Sequence, residues 1–217
     1  KLAVITFDDG NIEFRDLIPV IEKYKIPVTV FVPIDPVNSG NYWWDYAGIQ
    51  KQSDLTGLEN IEGFKKIPAD TFDEKIEILK AHFNIKRTCL ELTEVKEISR
   101  HPLITIGSHT VTHPILKNCT RNRQQNELQE SKRTLESWLE SKVHYLAYPN
   151  GDYNNDTLEI ARAEGYKLAF TTKPGIIDPL NVDRLQIPRY SVNDDGGYYE
   201  NLAKVTGIWQ SVFPVSL

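Results

Sequence analysis

The 217-residue chain carries 25 Lys and Arg against 30 Asp and Glu, a formal net charge of -5, which argues mildly against a nucleic-acid partner, since phosphate binding wants a basic surface. With 40% hydrophobic and 25% charged residues it can bury a core and is not a disordered chain. No apolar run approaches the roughly 18 residues of a membrane-spanning helix, so membrane insertion is not expected.

Residues 2–7 (LAVITF) are apolar with β-branched members and read as a buried strand. Residues 11–25 show mostly helical spacing at Ile12, Phe14, Leu17, Ile18, Ile21 and Tyr24, with Pro19 expected to kink or break the helix. Residues 27–33 (PVTVFVP) read as a second buried strand, which makes a βαβ unit and implies a parallel sheet. Residues 34–100 are less regular. Tyr42-Trp43-Trp44 is expected in a loop, with helices over 71–83 and 92–99. No Gly-, Ser- or Pro-rich linker bounds this stretch, so it reads as an insertion after the second strand, not as a second domain. Strands over 103–108, 143–148 and 168–172 then alternate with helices over 122–140 and 155–165, the latter with Gly165 as C-cap. A last short strand is expected at 185–190 and a closing helix at 198–212. The pattern fits a single α/β domain over 1–217, either a barrel or a doubly wound sheet. In both, catalytic groups gather at the C-terminal ends of strands.

Two of those strand ends carry chemistry. Thr6-Phe7-Asp8-Asp9-Gly10 ends the first. Adjacent carboxylates repel unless a cation neutralises one, although an Asp there could equally cap the following helix. His109 and His113 flank the end of the third. A fully extended chain would hold their Cα atoms roughly 13 Å apart, so a shared ligand requires a turn directly after His109, closed before Pro114. One carboxylate and two imidazoles form an accepted set for Zn²⁺, and also for Fe²⁺, Co²⁺ or Ni²⁺, and leave positions open for water and substrate. The second Asp is then free to act as a base. Cys89 and Cys119 could pair or remain free thiols.

TFDDG followed by HTVTHP resembles the first two motifs of the polysaccharide deacetylases, the NodB-homology group of carbohydrate esterases. Tyr148-Pro149-Asn150-Gly151 resembles the third. The resemblance runs from about residue 2 to residue 190. It implies a distorted (β/α) barrel and a hydrolase that removes N-acetyl groups from amino sugars of a poly- or oligosaccharide. It further implies Asp8 as general base, Asp9, His109 and His113 as ligands of a divalent metal (zinc first), and the backbone N–H of Asn150 as an oxyanion donor. The implied partner is an N-acetylated carbohydrate, with a place in exopolysaccharide or lipopolysaccharide assembly. The chain opens on a strand-like run and lacks Met, so the natural protein is expected to begin upstream. The compartment, bacterial cytoplasm or cell envelope, stays open.

The chain departs from the family pattern in three places, one of them Phe170-Thr171-Thr172, where a more acidic pattern is common. Most members carry Arg two residues before the third-motif Pro, where Ala147 stands here; Arg189, in Ile187-Pro188-Arg189-Tyr190, is the candidate replacement. Many members also carry a late His that protonates the leaving amine. Here no His follows the third motif, and His144 begins a strand at the wrong end. Trp43 and Trp44 are candidates to stack on a sugar ring, with Tyr148, Pro149 and Tyr153 lining the pocket. Two alternatives remain: a catalytically silent carbohydrate-binding domain, and a metal-independent amidohydrolase of the same fold.

Overall fold

The computed structural model describes residues 3–49, 55–57, 60–178, 180–192 and 196–208. Five parallel strands lie side by side in chain order: β1 (Ile5–Phe7), β2 (Val28–Val32), β3 (Ile104–Ser108), β4 (Tyr145–Ala147) and β5 (Leu168–Phe170). They curve into a half-barrel with helices outside, as the alternation of elements predicts. The expected strand at 185–190 is reduced to one parallel bridge, Ile187 on Phe170. Leu2, in the first expected strand, and residues 209–212 of the closing helix lie outside the described residues; α9 spans Tyr198–Val205.

The two faces of the sheet are apolar for different reasons. Val30 and Val32 pack outward with Ile104, Ile106, Leu128 and Leu146 beneath the helices. Phe31 points into the barrel with Ala147, Phe170 and Ile187. The inner packing is close enough to require Gly107 on β3, since a Cβ there would lie 2.5 Å from the Phe31 ring.

Between β1 and β2, the predicted break is real. A 3₁₀ turn over Ile12–Leu17 leads into α1 (Ile18–Tyr24) with Pro19 in its first turn, where the missing N–H costs nothing. The insertion is more helical than expected, with α2 (Ile34–Ser39), α3 (Trp43–Ile49), α4 (Ile61–Phe64), α5 (Ala69–His82) and α6 (Leu92–Ser99). Trp43 and Trp44 therefore open a helix and do not sit in a loop. Tyr42 offers no capping oxygen; instead the Asp45 carboxylate reaches back to its N–H at 3.0 Å. After β3 come α7 (Arg121–Leu139), capped by the Thr120 hydroxyl, and α8 (Asn155–Ala163), followed by left-handed Gly165. No described helix is long and apolar enough to cross a membrane. Both cysteines are buried free thiols.

Candidate active site

The site stands at the C-terminal ends of β1, β3 and β4. At β1 the chain turns at once: Asp9 and Gly10 both take left-handed backbone (φ 72° and 67°), and the Gly10 N–H donates to the Asp8 carbonyl at 2.9 Å. The following turn is capped by Asn11, whose side chain accepts from the Glu13 N–H, so neither aspartate serves as a helix cap. Beyond β3, Thr110 and His113 are also left-handed (φ 69° and 57°). They supply the turn that brings His113 back onto His109.

Asp9, His109 and His113 meet as the sequence suggests. Asp9 Oδ1 lies 3.3 Å from His109 Nε2 and 3.1 Å from His113 Nε2, and the two Nε2 atoms are 3.1 Å apart. Ligand bonds of about 2.1 Å set neighbouring donor atoms about 3.0 Å apart at a right angle and about 3.4 Å apart at the tetrahedral angle. The observed triangle falls within that range, so its three donors can face one cation.

Three further observations fit. The His109 Nδ1–H donates to the Ala147 carbonyl at 2.8 Å, which leaves a lone pair on Nε2. Two Nε2 lone pairs in contact repel unless a cation or proton lies between them. Asp9 Oδ1 is buried without a hydrogen-bond donor, as is His113 Nδ1 without a partner. Burial alone would raise the Asp9 carboxyl, but the two imidazoles beside it outweigh that and hold it well below the ordinary carboxylate range. Burial holds the His113 imidazole below its ordinary value. At His109 burial pulls down as well, but Asp9 and Asp8 together prevail and raise it.

Asp8 is gripped, not free. Arg189 Nη1 and Nη2 donate to its two carboxylate oxygens, each at 2.7 Å. The same guanidinium donates to Thr6 Oγ1 at 3.0 Å and, through Nε, to the Thr171 carbonyl at 2.9 Å. It lies 5.8 Å above the rings of Phe31 and Phe170. Arg189 thus spans the open side of the half-barrel, from the segment beside β5 to the end of β1, and brings to Asp8 the cation that Ala147 cannot supply.

The sugar-contact expectations divide. Trp43 is buried in the core of the insertion against Phe64 and Phe72, and its Nε1 donates to the His113 carbonyl at 3.2 Å; it has no face for a sugar. Trp44 is half-buried, stacked on Tyr42 and set edge-on to His113 with ring centroids 4.6 Å apart. Tyr148 is fully buried and donates to the Leu185 carbonyl, so its side chain is core and not pocket lining. Pro149 is buried as well. Asn150 is exposed and left-handed (φ 56°) just beyond β4. Tyr153 is half-buried and stacks on Tyr148. His144 stands at the start of β4, away from the site, beside Lys167.

Sequence reasoning missed the residues that brace these groups. Tyr42 donates to the Asp9 carbonyl at 2.9 Å from a buried position. Glu127 of α7 accepts the N–H groups of Val111 and Thr112, each at 2.9 Å.

The model of the family described as polysaccharide deacetylase matches residues 1–169. The chain is 26% identical over 176 residues to YxkH of Bacillus subtilis, covering 81% of this chain and 46% of that one. It is 25% identical over 212 residues to the poly-β-1,6-N-acetyl-D-glucosamine N-deacetylase of Staphylococcus aureus, covering 92% and 57%. The chain therefore spans about half the length of the curated relatives it matches. Among solved structures, the Streptococcus pyogenes deacetylase PplD in complex with acetate superposes with a TM-score of 0.66 at 24% identity, covering 94% of this chain and 70% of that one. IcaB from Ammonifex degensii superposes at 0.58 with 25% identity, covering 90% and 69%. Two motif-bearing strand ends, the half-barrel and the match over residues 1–169 agree, and the chain belongs to the polysaccharide deacetylase family.

Proposed function

We propose that the chain is a metal-dependent hydrolase that removes N-acetyl groups from the amino sugars of a poly- or oligosaccharide. The observation that carries this reading is the convergence of Asp9, His109 and His113 beside an aspartate held by Arg189. Zinc is the first choice of metal for this donor set, ahead of Fe²⁺, Co²⁺ and Ni²⁺. A divalent cation held there supplies Lewis acidity toward the acetamide carbonyl and acidifies an attacking water.

The chain's own groups carry the rest. Each Asp8 oxygen accepts one N–H from Arg189 and keeps a further lone pair. That lone pair takes the proton of the water as it adds to the carbonyl carbon. The backbone N–H of Asn150 donates to the oxygen on which charge develops. The C–N bond then breaks, and the leaving amine takes back the proton held on Asp8. Acetate and the free amine are the products. The half-buried ring of Trp44 beside His113 offers a stacking face for the pyranose. The name of the S. aureus relative favours a β-1,6-linked N-acetylglucosamine polymer over a lipopolysaccharide precursor as first substrate.

Acetate release from N-acetylglucosamine oligomers by the zinc-loaded protein tests the assignment, with Asp8→Asn as the comparison. The variant should keep its zinc and lose turnover. Equal turnover by Asp8→Asn removes Asp8 from the mechanism.

A further inference from the structure

The proposed histidine ligands stand at the two ends of a tight turn. Two of its residues, Thr110 and His113, hold left-handed backbone, which non-glycine residues keep only where their surroundings dictate it. The Thr110 hydroxyl contributes from within, accepting the His113 N–H at 3.1 Å. From α2, the Ile34 and Asp35 N–H groups donate to the Thr110 and Val111 carbonyls at 3.2 and 2.9 Å.

Trp43 Nε1 donates to the His113 carbonyl and Arg123 Nη2 to the Thr112 hydroxyl, but the middle of the turn is held chiefly by one side chain outside every motif. Glu127 Oε2 accepts both the Val111 and the Thr112 N–H, while Oε1 accepts the Thr112 hydroxyl at 2.7 Å and the Arg123 Nε–H at 3.3 Å. Its side chain is only 5% exposed. A carboxylate so far from water is costly unless its lone pairs are filled, and two of the four donors that fill them here are peptide N–H groups between the two histidines. Arg123 offsets the charge and pairs in turn with Asp73 of α5.

We propose that Glu127 is a positioning residue for the metal centre: it clamps the turn so that His109 and His113 already face each other before a cation arrives. This rests on the reading of Asp9, His109 and His113 as metal ligands. The clamp reaches the imidazoles through the backbone and touches neither ring. It also ties the insertion, through Asp73 and Arg123, to the geometry of the site.

The test is zinc affinity, by competition with a chromophoric chelator, for the wild type, Glu127→Ala, Glu127→Gln, Leu135→Ala and Asp9→Ala. Loss of an outer partner of this kind weakens metal binding by about 10–100-fold, and Glu127→Ala should fall in that range. Glu127→Gln, which keeps one acceptor oxygen, should be intermediate. Leu135→Ala destabilises the same helix without touching the turn and should stay within about twofold of the wild type. In metal-free protein, amide exchange at Val111 and Thr112 should quicken in Glu127→Gln. That variant also carries the comparison if Glu127→Ala does not fold. Asp9-dependent zinc binding that is insensitive to Glu127 overturns the inference alone, whatever the exchange shows. Zinc binding as tight in Asp9→Ala as in the wild type removes the metal centre, and the inference with it.

Discussion

Replacing Arg189 with Ala tests how far the reaction depends on a guanidinium supplied from outside the third motif. The substitution removes four hydrogen bonds: two to the Asp8 carboxylate, one to Thr6 Oγ1 and one to the Thr171 carbonyl. Breaking a buried ion pair costs about 3–5 kcal/mol. Here the Arg189 side chain is 14% and that of Asp8 29% exposed, so water reaches the stranded carboxylate. The stability loss should accordingly fall nearer to about 1–3 kcal/mol, in line with charged hydrogen bonds that solvent partly replaces. The effect on turnover should be larger than stability alone implies. Asp8 loses both anchors, and a misplacement of about 1 Å is enough to cost about 10²-fold in rate. We expect kcat for acetate release to fall by about that factor, with KM changed far less, because the guanidinium orients the base and does not grip the sugar. Arg189→Lys should fall between, since an ammonium cannot reproduce the two-pronged grip. The decisive comparison is a double-mutant cycle. On an Asp8→Asn background, removing Arg189 should cost little more. Turnover in Arg189→Ala within about threefold of the wild type, or effects that simply add in the cycle, would refute the coupling.

Two further predictions follow from burial. Burial pushes the Cys89 and Cys119 thiols up to about 12, so at pH 8 roughly one in 10⁴ is thiolate. A disulfide-exchange reagent should find neither in the native protein and both after denaturation, with native reactivity appearing only toward alkaline pH; rapid native labelling at pH 8 contradicts their placement. Tyr148→Phe leaves the buried Leu185 carbonyl without its donor and should cost about 1–2 kcal/mol in chemical denaturation, with acetate release near the wild-type rate. A large rise in KM would instead restore Tyr148 to the sugar site.

The two strand ends were legible because their residue types are costly anywhere else. Asp8 and Asp9 repel in the absence of a cation, and the histidine spacing demanded a turn that the left-handed Thr110 and His113 supply. Arg189 could be nominated from its place after the fifth strand, but not its reach across the open side to β1, because that depends on barrel curvature. Trp43 and Trp44 were misplaced in a loop because α3 is a short helix whose cap comes from Asp45 inside it and not from a residue before it. Tyr148 looked like a lining residue because a motif position says nothing of which way a side chain points. Glu127 was passed over for a different reason. The buried face of α7 runs through Gln124, Glu127, Leu128, Ser131 and Leu135, so a search for apolar residues at helical spacing finds only part of it. Polar residues continuing that stripe were the available signal.

The central claim is that the Asp9, His109 and His113 donors hold a divalent metal that the deacetylation requires. Its most direct test is acetate release from β-1,6-linked N-acetylglucosamine oligomers by chelator-stripped protein, before and after one equivalent of zinc, in the wild type and in His113→Ala. The account predicts no acetate from stripped protein, recovery near one zinc per chain in the wild type, and no recovery in His113→Ala. Full activity in stripped protein, or full recovery in His113→Ala, would contradict it.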